Sequence, residues 1–319
     1  MTGIAVRDMS PEFSFGSIIT GVTQETLADP AIRRQIVDLF EDRGMIIFAG
    51  VEPSQKMHVA ISNLFGPLKD HPVPVVPRVD QEAMPGVIDM HYKPGGDYGS
   101  TIEIDGKPLA KWSPWHFDHC YNDQLNRAGI LRALIIPPDG GLTGFADGVE
   151  MYETLSPALR DRIEGLNVIY TLDTRFEHMR FGRPKGFKPG KRTEIGEKVA
   201  AYGRTMPRAI HPMVWQRGDG RKVLHVSPWM AVGIEGHETP EGDALLEQLC
   251  QEMIAHIHAY RHRWKPDQML IWDNWRMLHN VSGNEPQYER RMQRTTILGD
   301  YGLGRFEGGK KAAGAMEMA

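Results

Sequence analysis

A β-sandwich or barrel with flanking helices is the fold class this sequence predicts, and two observations carry it. From about residue 85 the chain breaks into short apolar strands separated by Gly/Pro clusters, with no βαβ alternation linking them. The first 70 residues instead form a short α/β segment whose two amphipathic helices carry no chemical motif.

The elements follow in order. Asp29 caps a first helix and Pro30 sits at its first position; Ile32, Ile36, Leu39 and Phe40 form its apolar stripe and Gly44 ends it. Residues 45–48 are a short buried strand. A second helix starts near Ser54, with Met57, Ala60, Ile61, Leu64 and Phe65 on one face, and is closed by Gly66. Strands are expected over 87–90, 129–136, 168–171, 222–226, 268–272 and 291–298. Two helices interrupt them, one from Ser156-Pro157 to Ile163 and one from Pro240 to Tyr260 with Leu245, Leu249, Met253 and Ile257 at helical spacing. The Gly/Pro-rich segments 92–111 and 175–206 are expected to be lid-like loops. The second is basic, which a solvated face explains equally well. One domain over 1–305 with a flexible tail over 306–319 is the expected organisation.

Composition excludes several classes. With 41% hydrophobic and 24% charged residues in a chain of 319, the balance is that of an ordinary globular enzyme. A net charge of -4 makes no electrostatic case for nucleic acid or a membrane surface. The first fifteen residues lack the apolar stretch of a secretory signal, and no run approaches the ~18 apolar residues that span a bilayer. Cys120 and Cys250 are the only cysteines, which speaks against a disulfide framework and thiolate metal binding. A cytoplasmic protein is expected.

The chemistry gathers around Trp115-His116-Phe117-Asp118. If that stretch is extended, His116 and Asp118 share a face and can chelate one ion, while His119 turns away. A His-x-Asp pair arises by chance about once per chain of this composition, so it needs company. His279, at the end of a distant strand, supplies a third ligand. Two imidazoles and a carboxylate suit iron(II) with open positions, and zinc could use the same set. His256 and His258, two apart on a helix, cannot face one ion. In the last strand Arg290, Met292 and Arg294 share a face, placing two inward guanidiniums about 13 Å apart along it. Buried cations of that kind imply buried anions, and ligands are the natural candidates.

These residues, together with Gly140-Gly141-Leu142-Thr143, Trp272-Asp273-Asn274 and the run Arg290 to Asp300, resemble the taurine / aryloxyacetate dioxygenase family of iron(II)- and 2-oxoglutarate-dependent oxygenases. The resemblance is ordered and spans about 16–299. It implies a mainly β fold, a clavaminate-synthase-like double-stranded β-helix (jelly roll) with flanking helices. It implies that His116, Asp118 and His279 bind Fe(II), and that Arg290 and Thr143 hold the far carboxylate of 2-oxoglutarate. Arg294 matches the arginine that holds an anionic substrate head, with Arg291 as the alternative register, and His71 matches a histidine on that head. The implied reaction takes O2 and 2-oxoglutarate, hydroxylates a small organic acid, and yields succinate and carbon dioxide, with C–O, C–S or C–N cleavage where the hydroxylated carbon carries such a bond. A homo-oligomer, dimer or tetramer, is implied by analogy.

Departures from the family pattern bear on the substrate. A tyrosine three residues after His71 is Pro74 here, and an asparagine four before the first ligand is Trp112. The polar wall becomes apolar and aromatic, with Tyr121 beside it and Trp229 and Met230 near the pocket mouth. An aryloxyalkanoate-like carboxylate or an alkyl sulfate or sulfonate is therefore expected ahead of taurine. A taurine-type sulfonate dioxygenase and a non-catalytic barrel binding a small acid are the alternatives. A metal-dependent hydrolase lacks a general base in the local sequence. Asp118 excludes the halogenating branch, which has a small residue there.

Overall fold

Alternation along the central strands sorts their side chains onto two faces. Ile47, Leu131, Leu270, Trp272 and Met292 pack inward against Phe145 and Met277, whereas Ile46, Phe48, Ile130, Met269 and Ile271 pack outward with the two N-terminal helices. The inward and outward sets belong to one eight-stranded sheet in the order Ala5–Asp8, Ser17–Thr20, Met45–Ala49, Gln268–Asp273, Ala128–Ile135, Arg290–Ile297, Met84–Tyr92 and Arg78–Asp80. Facing it is a four-stranded sheet, Tyr260–His262, Thr143–Asp147, Met277–Val281 and Ser113–His116. The two sheets enclose the inner core as a double-stranded β-helix. The computed structural model describes residues 3–96 and 100–309.

Local signals set the helix ends. The Asp29 carboxylate accepts from the Ala31 N–H at 2.8 Å at the start of Pro30–Arg43. Gly44, at φ 69°, closes that helix in the left-handed conformation, its N–H donating to the Phe40 carbonyl at 2.8 Å. The second helix, Gln55–Ser62, is capped by the Ser54 hydroxyl, which accepts from the Met57 N–H at 3.0 Å. It ends before Leu64 and Phe65, four residues short of Gly66.

Several expectations change. The helix starting at Pro240 stops at His256, because Tyr260–His262 pairs with Thr143–Phe145 as a strand. Helices also form at Gly148–Thr154 and Glu194–Gly203. The first is only two turns long and the second lies in the basic segment, so neither showed a hydrophobic period in the sequence. The two segments read as loops fold together: Phe187–Pro189 pairs with Thr101–Ile104, which pairs with Lys107–Ala110. The basic run is largely engaged, with Arg175 on Asp173, Arg180 on Asp243 and Lys188 on Glu103. Regular structure continues past residue 305. Arg305–Phe306 adds to the Ala209–Pro212 strand, and the Arg208 Nε donates to Glu307 at 2.8 Å. Residues 310–319 lie outside the described residues. Among the described residues no helix is long and apolar enough to cross a membrane.

Candidate active site

Strand register brings the two histidines together. His279 is the direct partner of His116 across adjacent strands, and their ring centroids lie 4.1 Å apart. The His116 Nδ1 faces the Pro114 carbonyl at 2.8 Å, which directs its Nε2 toward the centre. The His279 Nε2 lies 3.8 Å from the Asp118 Oδ1, and ligand atoms of all three residues fall within 4.8 Å of one another.

Alternation explains only part of this. The strand ends at His116, and Asp118 is reached through a turn in which His119 adopts φ 62°. His119 therefore does not face away from the site, as an extended chain would require; it lines the same cavity. Asn274 holds the turn. Its Oδ1 accepts from the Asp118 N–H at 2.7 Å, and its Nδ2 donates to the Asp118 carbonyl at 3.0 Å.

The electrostatics suit a metal. Burial lowers the pKa of both His116 and His279, keeping the imidazoles neutral with a lone pair to donate. Burial alone would push the Asp118 carboxyl up, but the Arg294 guanidinium beside it outweighs that and holds Asp118 well below the usual carboxylate range. The Arg294 Nη1 donates to the Asp118 Oδ1, while the Asp118 Oδ2 is buried with no hydrogen-bond partner among the described residues. An orphaned carboxylate oxygen beside two neutral imidazoles is a donor set that fits a divalent cation.

Nine of the residues singled out in the sequence line one cavity of about 400 Å³: His71, Trp112, His116, Asp118, Tyr121, Thr143, His279, Arg290 and Arg294. Arg291 does not. It lies on the opposite face of the strand, paired with Asp89 at 2.9 Å. Arg290 is buried, and among the described residues its one side-chain hydrogen bond is a 3.4 Å contact from Nη2 to the Gly141 carbonyl. Gly141, at φ 63°, allows the approach, since a Cβ there would stand 3.2 Å from the Arg290 Nε. Burial pulls the Arg290 pKa down to about 10. The Thr143 hydroxyl accepts from the Trp264 indole N–H at 3.0 Å, which leaves its own proton free to donate.

The other end of the cavity is also cationic but differently walled. Burial, reinforced by Arg294 and Arg78, pushes the His71 pKa down to about 3, so the ring is neutral. Trp112 packs edge-on to Phe176 at 5.2 Å, Phe176 meets Trp229 at 5.2 Å, and Trp229 meets His116 at 5.0 Å. Val73, Val76, Leu172 and Met230 extend that aromatic wall. Pro74 does not line the cavity; its carbonyl accepts from the Arg78 Nη1 at 2.8 Å.

Two contributors carried no sequence signal. Arg78, its side chain only 2% exposed, ties the His71, Val73 and Pro74 carbonyls and the Asp70 carboxylate into one loop. Lys111 lines the cavity with no ion pair or hydrogen bond among the described residues. Burial and the Arg290 charge pull its pKa down to about 8. A lone lysine in a loop and an arginine on an edge strand are recognisable only once their neighbours are placed.

Comparison with known proteins agrees with this construction. A 2,4-dichlorophenoxyacetate dioxygenase of Cupriavidus pinatubonensis is 26% identical over 84% of this chain and 88% of its own. An (S)-phenoxypropionate/alpha-ketoglutarate-dioxygenase of Sphingobium herbicidovorans is 26% identical over 92% and 97%. The fold matches the crystal structure of a taurine dioxygenase from Burkholderia xenovorans with a TM-score of 0.66 at 24% identity, over 97% and 95% of the two chains. Residues 5–296 match the family described as "Taurine catabolism dioxygenase TauD, TfdA family". With that match covering both jelly-roll sheets and every ligand of the cluster, the chain belongs to the TauD, TfdA family of dioxygenases, which use Fe(II) and 2-oxoglutarate.

Proposed function

We propose that this dioxygenase oxidises an amphiphilic organic anion, with an aryloxyalkanoate-like carboxylate as the first candidate and an alkyl sulfate or sulfonate as the second. One observation carries the reading: the ligand cluster, two inward arginines and a continuous aromatic and aliphatic wall line one cavity. His116, Asp118 and His279 would hold Fe(II). Arg290 and the Thr143 hydroxyl would hold the far carboxylate of 2-oxoglutarate, a bidentate role that suits a guanidinium. When bound, iron and 2-oxoglutarate supply the oxidant that, with O2, hydroxylates a substrate C–H and releases succinate and carbon dioxide. Arg294 and His71 orient the anionic head, and Trp112, Phe176 and Trp229 hold the apolar body and exclude water. The paired segments 92–111 and 175–206 supply Thr101, Ile102, Pro189 and Lys191 to the cavity, consistent with a lid within one domain over 1–305. Cytoplasmic location and a dimeric or tetrameric state rest on composition and the resemblance, and light scattering on the purified chain tests the oligomer.

A substrate panel assayed by succinate formation tests this function. Phenoxyalkanoates and medium-chain alkyl sulfates should exceed taurine in kcat/KM by about two orders of magnitude, because four buried methylene equivalents at ~0.8 kcal/mol each amount to about 3 kcal/mol. Taurine as the best substrate would sink it.

Lys111 gives a second expectation, with its sign set by its lowered pKa. Below about pH 8 its ammonium is charged and adds to Arg290 in attracting 2-oxoglutarate; above that pH the charge is lost. Asp89 and Arg290 are the charged groups acting on it. The affinity for 2-oxoglutarate, followed by tryptophan quenching, should fall as pH rises through 8, and Lys111→Met should flatten that fall. An identical pH profile in the variant would exclude the lysine.

A further inference from the structure

We propose that His119 is a further specificity-determining residue, donating a ring N–H to the anionic head of the substrate beside Arg294 and His71. The inference rests on the functional reading above, because it takes this end of the cavity as the head-group end. His119 is 3% exposed, and neither ring nitrogen has a hydrogen-bond partner among the described residues. An imidazole always carries at least one N–H, so this ring holds a buried donor with no acceptor. Native proteins rarely leave such a group unpaired unless a ligand, an ion or an ordered water completes it.

Its placement points the same way. His119 lines the cavity and meets His71 edge-on, with ring centroids 5.1 Å apart and planes at 85°. The Nδ1 of His71 accepts from the Val73 N–H at 3.1 Å, leaving its Nε2–H as the free donor. The charged groups acting on His119 are Asp118, Arg294 and Lys69, while the neighbouring His71 ring is neutral. Asp118 is the one anion among them, and no hydrogen bond joins it to the ring. Cations thus outnumber anions around the ring, an environment that favours an anionic oxygen. His119 also occupies a left-handed backbone conformation at φ 62°, a cost for a residue with a Cβ that is met most often where function fixes the chain. The metal cluster does not include it: its ring is not among the atoms that converge with His116, Asp118 and His279.

The test uses the full chain loaded with Fe(II) and 2-oxoglutarate, and the best anionic substrate from the panel. His119→Gly and His119→Asn both tolerate the left-handed backbone, and asparagine keeps an N–H donor. Loss of a hydrogen bond to a charged group predicts that His119→Gly raises KM about tenfold or more, with a smaller change in kcat. His119→Asn should recover part of the loss. The 2-oxoglutarate dissociation constant, measured without substrate, should stay within about threefold of the parent. An unchanged KM in His119→Gly would overturn the proposal. So would a parallel loss of 2-oxoglutarate affinity, which would mean that the ring acts only through its neighbour Asp118. Failure of the unmodified chain to turn over any panel anion would overturn the functional reading itself, before any variant is made.

Discussion

Replacing Asp118 by alanine should abolish the weak visible charge-transfer band that anaerobic Fe(II) and 2-oxoglutarate give with the unmodified chain, and turnover should vanish with it. Loss of a partner that only orients a ligand already costs 10–100-fold in metal affinity, so loss of a ligand from a set of three should cost more than about 100-fold. Asp118→Ala also leaves Arg294 without the carboxylate it now binds. His279→Ala is therefore the companion variant, since it removes a ligand while keeping the Arg294–Asp118 pair. Both should lose the rise in melting temperature that Fe(II) confers on the parent, a readout independent of catalysis. A band that persists in either variant would remove that residue from the ligand set.

Arg276→Met should cost about 3–5 kcal/mol of stability, the usual penalty for breaking a buried ion pair from one side. The Arg276 guanidinium, fully buried, donates to both carboxylate oxygens of Asp147 at 2.8 and 2.6 Å and to the Asp42 carbonyl at 2.8 Å. Asp147 also caps the helix Gly148–Thr154, its Oδ1 accepting from the Val149 N–H at 3.0 Å. The pair thus ties the end of the first helix, Pro30–Arg43, to the strand that carries Thr143. At roughly 2–4 °C per kcal/mol for a chain of this size, the melting temperature should fall by about 6–20 °C. Adding Asp147→Asn to Arg276→Met should cost much less than the sum of the two single changes, because it neutralises the stranded carboxylate. A drop of less than ~1 kcal/mol would show that the pair contributes little beyond its desolvation cost.

Much of the site was legible in the chain itself, and the reason is local. Period-two alternation placed Arg290, Met292 and Arg294 on one face, and the structure puts both guanidiniums in the cavity and Arg291 outside it. The caps at Asp29, Ser54 and Gly44 depend on neighbours within four residues, and they appear where those neighbours predict. Alternation failed at His119, because a left-handed turn ends the strand at His116 and no local pattern announced it. The boundary of the long helix failed similarly, because a strand partner 115 positions away (Phe145 opposite Tyr260) claimed Tyr260.

The sequence by itself determined the mainly β class and the shared face of Arg290 and Arg294, which follow from strand period, and offered the jelly roll and His116, Asp118 and His279 as candidate ligands through an ordered family motif. Only the tertiary structure decided that the two Gly/Pro-rich segments pair with each other, that Arg78 organises the His71 loop, and that His119 and Lys111 enter the cavity. Those outcomes depend on contacts between residues far apart in the chain. Burial and partner geometry set their energies, and neither exists until the sheets have closed.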